Sequence, residues 1–514
     1  MGRALSAMDE NIKIGKYTLE SLTTGMYSDP KIIYREYIQN SVDALEMALQ
    51  AGLLEPQDVR IDIVVDAENA YISIRDNGTG INSKSAVSTL LNIGSSQKRH
   101  SNNRGFRGIG RLGGMSYCGR LVFTTSAEND TTKTIVEFDC KKLKQLLVPS
   151  AYEEMDLTTV ISKVTSVRTE KEKKEKHYFY VELFDVNAFS DLLNVEAVKK
   201  YISQVAPLPY KLRKFFYSPD LHRFLSENGY EIEEFPIFVG ERNSELEPLY
   251  KPNCHRYHSD RNKKKNDEIL ALRTFRVDFQ GELYALGWYG VCNWLGSITE
   301  QTISGIRVRK GNILIGDNRT LNEIFKESRF NGWTQGELFV ITDKLIPNAR
   351  RDDFEQNEAY YELIEALKEG VGGEITKAIR EASSKRNDIS MKVINEVEQQ
   401  VNDATVAVAE GFNSSVDKKR LLNQLEAAEE SLKKTKIRDD LKPQVEEVKQ
   451  KLVQKIEEVN GSSNYKINQV TNSIDKRSKR ILAIVSDILS EKLSKPLVDD
   501  IIEEIVTVLN GKKV

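Results

Sequence analysis

An α+β protein of three parts is what this 514-residue sequence predicts, and three observations carry that reading. Strands and Gly-rich turns alternate behind a helical stretch up to about residue 165. A second zone, to about residue 365, mixes strands with short helices and holds most of the Trp, Tyr and Pro. The rest repeats apolar residues at steps of three and four on Glu/Lys-rich segments with almost no aromatics. The expected domains are therefore 1–165, 166–365 and 366–514, in a chain too long for one ordinary core.

In the first zone, YREYIQNSVDALEMA has the composition of a helix, and on it Glu36, Asn40, Asp43 and Ala44 fall along one face. Polar groups amid Tyr37, Ile38, Val42 and Leu45 are odd for a buried helix unless they meet a ligand. On its own the stripe reads as a solvated face. RIDIVVDAENAYISIRDNGTGI then reads as two strands joined by a polar turn. The second strand ends in D-x-G-x-G, with Asp76, Gly78 and Gly80, where backbone comes close to a ligand and Asp76 accepts from an exocyclic amine such as adenine N6. An ordinary Asn-Gly turn would look the same. Finally, Gly105, Gly108, Gly110, Gly113 and Gly114 crowd RGFRGIGRLGG beside Arg104, Arg107 and Arg111. Such a loop exposes successive N–H groups that cradle phosphate oxygens, although a lone Gly-rich loop is weakly specific.

The second zone holds the strand FRVDFQGELYALGWYGV, and the charged 165–178 stretch before it suits a loop or a hairpin tip. In the third, apolar steps recur at Ile394, Val397, Val401, Ala404 and Val408, at Leu421, Leu425, Ala428 and Leu432, and at Leu441, Val445, Val448 and Leu452. These heptad-like seams, broken at 411–415 and 461–463, fit either an antiparallel bundle or pairing with another chain.

Hydrophobic residues make up 39% and charged residues 29%, as in a soluble protein with a charged surface or a long exposed helical part. A net charge of −3 does not indicate nucleic acid as a partner, and the basic runs Lys171–Lys176 and Arg261–Lys265 read as solvated loops. Cys118, Cys140, Cys254 and Cys292 form no C-x-x-C pair, so a zinc knuckle or a dense disulfide framework is not expected. Without a membrane-length apolar run or an apolar h-region at the start, the expected location is the reducing cytoplasm.

Taken in order, E-x3-N-x2-D-A, D-x-G-x-G and G-x-x-G-x-G stand at the spacing of the gyrase, heat-shock-chaperone, histidine-kinase and MutL (GHKL) superfamily of ATPases, and the chain resembles that superfamily over roughly residues 15–165. TTGMYSDPKIIYREYIQNSVDA is similar to the opening of the ninety-kilodalton heat-shock chaperones and the MORC ATPases; RGFRGIGRLGGMSYCGRLVFTTS looks like the lid and following strand of MutL-type proteins. The resemblance implies a Bergerat-type α/β sandwich that binds ATP, an α/β transducer-like middle domain and a helical or coiled-coil tail. Glu36 would be the general base and Asn40 the Mg²⁺ ligand, while Asp43 and Ala44 line the nucleotide pocket. Asp76 would read adenine beside Gly78 and Gly80. Gly105, Phe106, Arg107, Gly108, Ile109 and Gly110 would form the lid, preceded by the contacts Ser95, Ser96 and Lys98. Thr158 (or Thr159) in LTTVISK would close the pocket from a late strand, although Leu157 stands where the family has Gly. From the middle domain, Arg351 in IPNARRDDFE would reach the γ-phosphate, with Arg350 and Lys344 as alternatives; a surface Arg paired with Asp352 or Asp353 is the plainer reading.

The function expected is an ATP-hydrolysing, chaperone-like or clamp-like homodimer whose C-terminal helices dimerise or hold a client. A MutL- or topoisomerase-like DNA-processing subunit is the alternative. A histidine kinase fits less well, since none of the five His residues sits on a phosphoacceptor hairpin and the ATP domain comes first.

Overall fold

The structure, a computed structural model, describes residues 29–92, 110–148, 155–187, 191–259, 265–387, 389–412, 414–435, 441–465 and 476–493, with a few isolated positions besides. The chain divides into two compact units, residues 1–379 and 380–514.

The first unit opens with helix α1 (Ile32–Gln50), entered through Asp29, whose Oδ1 accepts from the Lys31 N–H at 2.9 Å. Its apolar residues return every three or four positions, and Ile33, Tyr34, Tyr37, Ile38, Val42 and Leu45 are all buried. Each such side chain, fully buried, is worth about 1.5–3 kcal/mol. The helix stops at Gly52, whose φ of +67° turns the chain out in a left-handed cap.

The hairpin of β1 (Ile61–Asp66) and β2 (Tyr71–Asp76) follows, with Ile63 opposite Ile74 and Val65 opposite Ile72. Asp66 builds its turn by accepting from the backbone and side-chain nitrogens of Asn69 at 3.0 and 2.8 Å. After α2 (Ser83–Leu91) come β3 (Arg120–Ser126), β4 (Thr132–Asp139), α3 (Cys140–Leu147), α4 (Leu157–Val164), β5 (Thr165–Lys171) and β6 (Tyr178–Phe184). Beyond α5 (Val195–Val205) and α6 (Ser218–Glu227), β7 (Ile237–Glu241) joins β1 in parallel and carries β8 (Glu247–Pro248) at its edge. The eight strands run β5-β4-β3-β6-β2-β1-β7-β8, so β6 inserts between the hairpin and β3.

A short pair, β9 (Arg256–His258) and β10 (Asn266–Glu268), leads into a second sheet of β11 (Ala271–Phe279), β12 (Glu282–Val291), β13 (Gly305–Lys310), β14 (Ile313–Ile315) and β15 (Gln335–Val340). Its order is β11-β12-β15-β13-β14, with Trp288 and Phe339 in the core it shares with Phe215 and Leu221. Helix α7 (Glu358–Leu367) and the first part of α8 (Gly373–Asn387) close the unit by burying Leu363, Leu367, Ile375 and Ile379.

The α+β class holds. The domain boundary expected at residue 165 falls inside the eight-stranded sheet, which continues to residue 248. The charged 165–178 stretch is the β5–β6 hairpin, and β5 is the sheet's edge, where a strand bears polar residues on both faces.

In the second unit α9 (Ile389–Glu410), α10 (Ser415–Lys434) and α11 (Lys442–Gly461) bury their seams against one another, with Ile394, Val397, Leu425, Leu432, Val448 and Leu452 at the centre. Lys418 ties the start of α10 to the end of α11 by donating to Asn460 O and Ser462 O, so those two helices run antiparallel. Helix α12 (Lys476–Lys492) packs Leu482, Val485 and Leu489 into a separate cluster. Among the described residues no helix is long and apolar enough to cross a membrane.

Candidate nucleotide site

Helix α1 is buried on its polar side as well as its apolar one. Arg35, Glu36, Gln39 and Asp43 are all at most 8% exposed, while Asn40 and Ala44 are half-buried between them. Burying such groups is costly unless each has a partner. The partners come from the turn after β2 and from the loop after β15.

At the C-terminal half of α1 the helix meets Asp76. Asp76 is buried; its Oδ2 accepts from Ser41 Oγ at 2.7 Å and its Oδ1 from the Gly78 N–H at 2.9 Å. Burial pushes its carboxyl up to about 6, against the hydrogen bonds of Ser41, Gly78 and Phe179 that favour the charged form. No salt bridge to Asp76 exists among the described residues. The turn then lies on the helix: the Thr79 N–H donates to Ala44 O at 3.2 Å, and a Cβ on Gly78 would come within 2.7 Å of Ala44 Cβ. Gly80, at φ +62°, runs so close to Ser126 O that only glycine fits.

At the N-terminal half, the loop after β15 docks on α1. Arg35 Nη2 donates to Arg350 O at 2.8 Å and Nη1 to Arg351 O at 3.4 Å. This brings Arg351 Nε to 3.6 Å from Glu36 Oε1. Arg351 itself has φ +57°, a conformation costing of order 1–3 kcal/mol that surrounding bonds must hold. Its N–H donates to Asn348 O at 3.1 Å and its carbonyl accepts from Gly316 N at 2.9 Å. Asp352 accepts from Asn348 Nδ2 at 2.6 Å, while Arg351 directs its Nε to Glu36. Lys344 binds Glu282, and Arg350 contributes only its carbonyl, so neither alternative reaches the helix with its charge.

Glu36, Asn40, Asp43 and Ala44 thus share one stripe, with Arg351 at one end and Asp76, Gly78 and Gly80 at the other. Eight residues of helix separate the ends by about 12 Å. Gly110 lies against Glu36, where a side chain would collide with the carboxylate. The remaining lid residues Gly105, Phe106, Arg107, Gly108 and Ile109, and Ser95, Ser96 and Lys98, lie outside the described residues.

Thr158, expected on a late strand, lies on a helix. It sits exposed in the first turn of α4, capped through Asp156 Oδ1 and the Thr159 N–H at 2.7 Å, because LTTVISK has the 3–4 periodicity of a helix and an Asp to start it. The late strand beside β2 is β6. Two residues there serve the turn, and neither follows from the motifs. His177 Nδ1 is 2.8 Å from Gly78 O, and Thr125 Oγ1 on β3 accepts from the Ile81 N–H at 2.8 Å while donating to Tyr178 O at 3.0 Å. Arg35 was also missed; its only signal is a cation next to the catalytic candidate. Gln39 is the last addition: its side-chain amide is buried with no hydrogen-bond partner among the described residues, which leaves it open to a water or a ligand atom.

A buried acceptor, an acid beside an Arg and a glycine-only turn thus meet along one helix. Residues 27–172 match the family model described as "Histidine kinase-, DNA gyrase B-, and HSP90-like ATPase". Over these residues the N-terminal part is similar to GHKL ATPase domains, with weak similarity to the heat-shock chaperones. It is 33% identical to the chaperone protein HtpG of Acinetobacter baylyi over 84 residues, 15% of this chain and 13% of that one. The HtpG of Chlorobaculum tepidum is 33% identical over 87 residues (16% and 14%), and the mitochondrial heat shock protein 75 kDa of Rattus norvegicus 30% over 117 residues (21% and 17%). The chain thus spans less than a fifth of the length of each relative it matches.

Proposed function

We propose that this protein binds ATP with Mg²⁺ along the buried polar stripe of α1 and hydrolyses it to change conformation. The observation that carries the reading is that one helix holds Glu36 beside Arg351 and, eight residues on, seats the Asp76 turn. Asp76, buried without an ion pair and already oriented by Ser41 and Gly78, is suited to accept from the adenine amine. The Gly80 backbone lets the base lie close. Asn40 would give its amide oxygen to Mg²⁺, which when bound offsets phosphate charge. Glu36 is the base that orients water and takes its proton, and phosphoryl transfer asks for little beyond positioning and charge.

Arg351 serves two partners. It lies near the Glu36 carboxylate, and a γ-phosphate bound beside that carboxylate would bring a second negative charge within its reach. Because Arg351 belongs to the loop after β15, turnover then depends on the second sheet staying docked on α1. Closure of the 105–110 lid, association as a homodimer and client binding by the C-terminal unit complete the proposed cycle. Ile481, Ile484 and Ile488, exposed along one side of α12, support a partner role for that unit.

Phosphate release by the wild type and by Glu36→Ala tests the chemistry. The variant is expected to lose turnover by about 10²–10⁴-fold, the usual contribution of a general base. Equal rates would remove Glu36 from catalysis. Incubation with γ-labelled ATP separates hydrolysis from self-phosphorylation: label is expected in free phosphate, and stable label on the protein would favour a kinase.

A further inference from the structure

Far along the chain from the Asp76 turn, the segment Tyr210–Tyr217 and the β9–β10 pair build a surface that ATP hydrolysis does not use. Lys211, Leu212, Arg213, Lys214 and Phe216 are exposed on it, Leu212 by 57% and Phe216 by 49%. The segment is pinned from beneath. Phe215 is fully buried against Trp288, Tyr217 Oη donates to Ile269 O at 2.9 Å, and Lys214 O accepts from the His255 N–H at 2.8 Å. The exposed Phe216 ring is held by half-buried neighbours, with its centroid 4.3 Å from that of Tyr217 and 4.6 Å from that of His255, the rings tilted by 35° and 56°. Lys211 Nζ stands 5.6 Å over Tyr250, itself exposed.

The charges are one-sided. Among the described residues no carboxylate pairs with Lys211, Arg213 or Lys214. The acids at this surface are committed elsewhere, Glu268 to Arg256 at 3.1 Å and Asp220 to Arg223 at 3.3 Å. Three cations with no carboxylate partner among the described residues share this segment with the exposed Phe216 ring. Phosphates satisfy such cations, and the exposed Phe216 ring offers its face to a flat base. Bases must be free of a duplex to stack on it.

We propose that the Tyr210–Tyr217 surface, with Tyr250 and His255, binds a single-stranded polynucleotide. Lys211, Arg213 and Lys214 hold the phosphates, and Phe216 stacks on a base. The net charge of −3 conceals this surface because acids elsewhere balance it. The proposal does not depend on the ATPase reading, since none of its residues touches the nucleotide site.

Fluorescence anisotropy of a labelled twenty-mer of thymidylate with the full chain tests it. Wild type is expected to bind at low salt and to prefer this strand over the same strand paired with oligoadenylate. Lys211→Gln/Arg213→Gln/Lys214→Gln is expected to make the slope of log K against log salt shallower by about 2, from three contacts of about 0.7 each. Phe216→Ala is expected to weaken binding about tenfold and leave the slope unchanged, as loss of one stacked base does. All these side chains are exposed, and an unchanged thermal melt of each variant verifies folding. No binding at low salt, equal affinity for the duplex, variants that bind like wild type, or equal displacement by polyglutamate of matched charge would each overturn the proposal. The last would assign the surface to an acidic peptide.

Discussion

Asp76 ends a strand of the first sheet and Glu337 lies within β15 of the second, and both carboxylates are at most 2% exposed. Their surroundings are opposite. Around Glu337 stand Arg309, bonded through Nε, Lys251 at 3.6 Å and the Tyr210 hydroxyl. Burial alone would raise its carboxyl, but the charges of Arg309 and Lys251 outweigh that and hold it at about 2. Asp76 accepts from a hydroxyl and backbone N–H groups, with no ion pair among the described residues. Burial leaves it at about 6, although the charge of Arg75 also favours its ionised form. Glu337 is saturated and holds structure together: Arg309 also reaches Gln204 O at the end of α5 (3.2 Å), which joins the second sheet to the first sheet's helices. Asp76 is kept short of charge, and that shortage makes it an acceptor for a ligand's N–H.

Removing each carboxylate should therefore hurt different things. The largest effect on stability is expected at Glu337→Ala, which strands Arg309 and Lys251 in the core and should cost about 3–5 kcal/mol in denaturant melts. A loss below 1 kcal/mol would mean that the cluster is hydrated and the contrast false. Arg351→Ala is next: turnover should fall about 10²-fold, as when one charge-stabilising donor is removed. Stability should change little, because the substitution keeps the backbone bonds that dock the loop. Gly80→Ala sharpens the geometric side, since its methyl would run into Ser126 O. It should reduce nucleotide affinity and thermal stability together, and a variant that matches wild type in both would show that the turn has room.

The smallest expected effect is a pH slope. In the folded state Asp76 titrates near 6, above the 3.8 of an unperturbed Asp, so between those values the native protein binds more protons than the unfolded chain. Its contribution favours folding below about pH 4 and is lost as pH rises through 6. Asp76→Asn has no such titration. Its stability relative to wild type should rise from pH 4 to pH 7, by up to about 3 kcal/mol for a shift of roughly two units. A difference independent of pH would indicate that Asp76 is well solvated.

Much of the site could be read from local pattern. Glu36, Asn40, Asp43 and Ala44 fall on one stripe because a helix has a fixed repeat, and Asp76, Gly78 and Gly80 end a strand because the turn demands glycine. The C-terminal seams also turned out as packing surfaces, buried within one bundle. What was illegible depends on contacts between distant segments. His177 meets Gly78 only because β6 inserts beside β2, about a hundred residues away in sequence, and nothing in YFYVELF announces that pairing. The helix that carries Thr158 was illegible for the same reason: in LTTVISK an Asp-capped helix and a Thr-bearing strand look alike until the neighbouring strand is known. Thr165–Lys171 forms an edge strand, which the sequence does not separate from a linker because the two share a polar composition.

Calorimetric titration of a non-hydrolysable ATP analogue into wild type, Glu36→Ala and Asp76→Asn, with Mg²⁺, is the most direct test of one nucleotide lying between Glu36 and Asp76. Glu36→Ala should bind as tightly as wild type or tighter, and Asp76→Asn should show no measurable heat of binding. If Asp76→Asn binds like wild type, the buried acceptor does not face the base, and the proposed site is wrong.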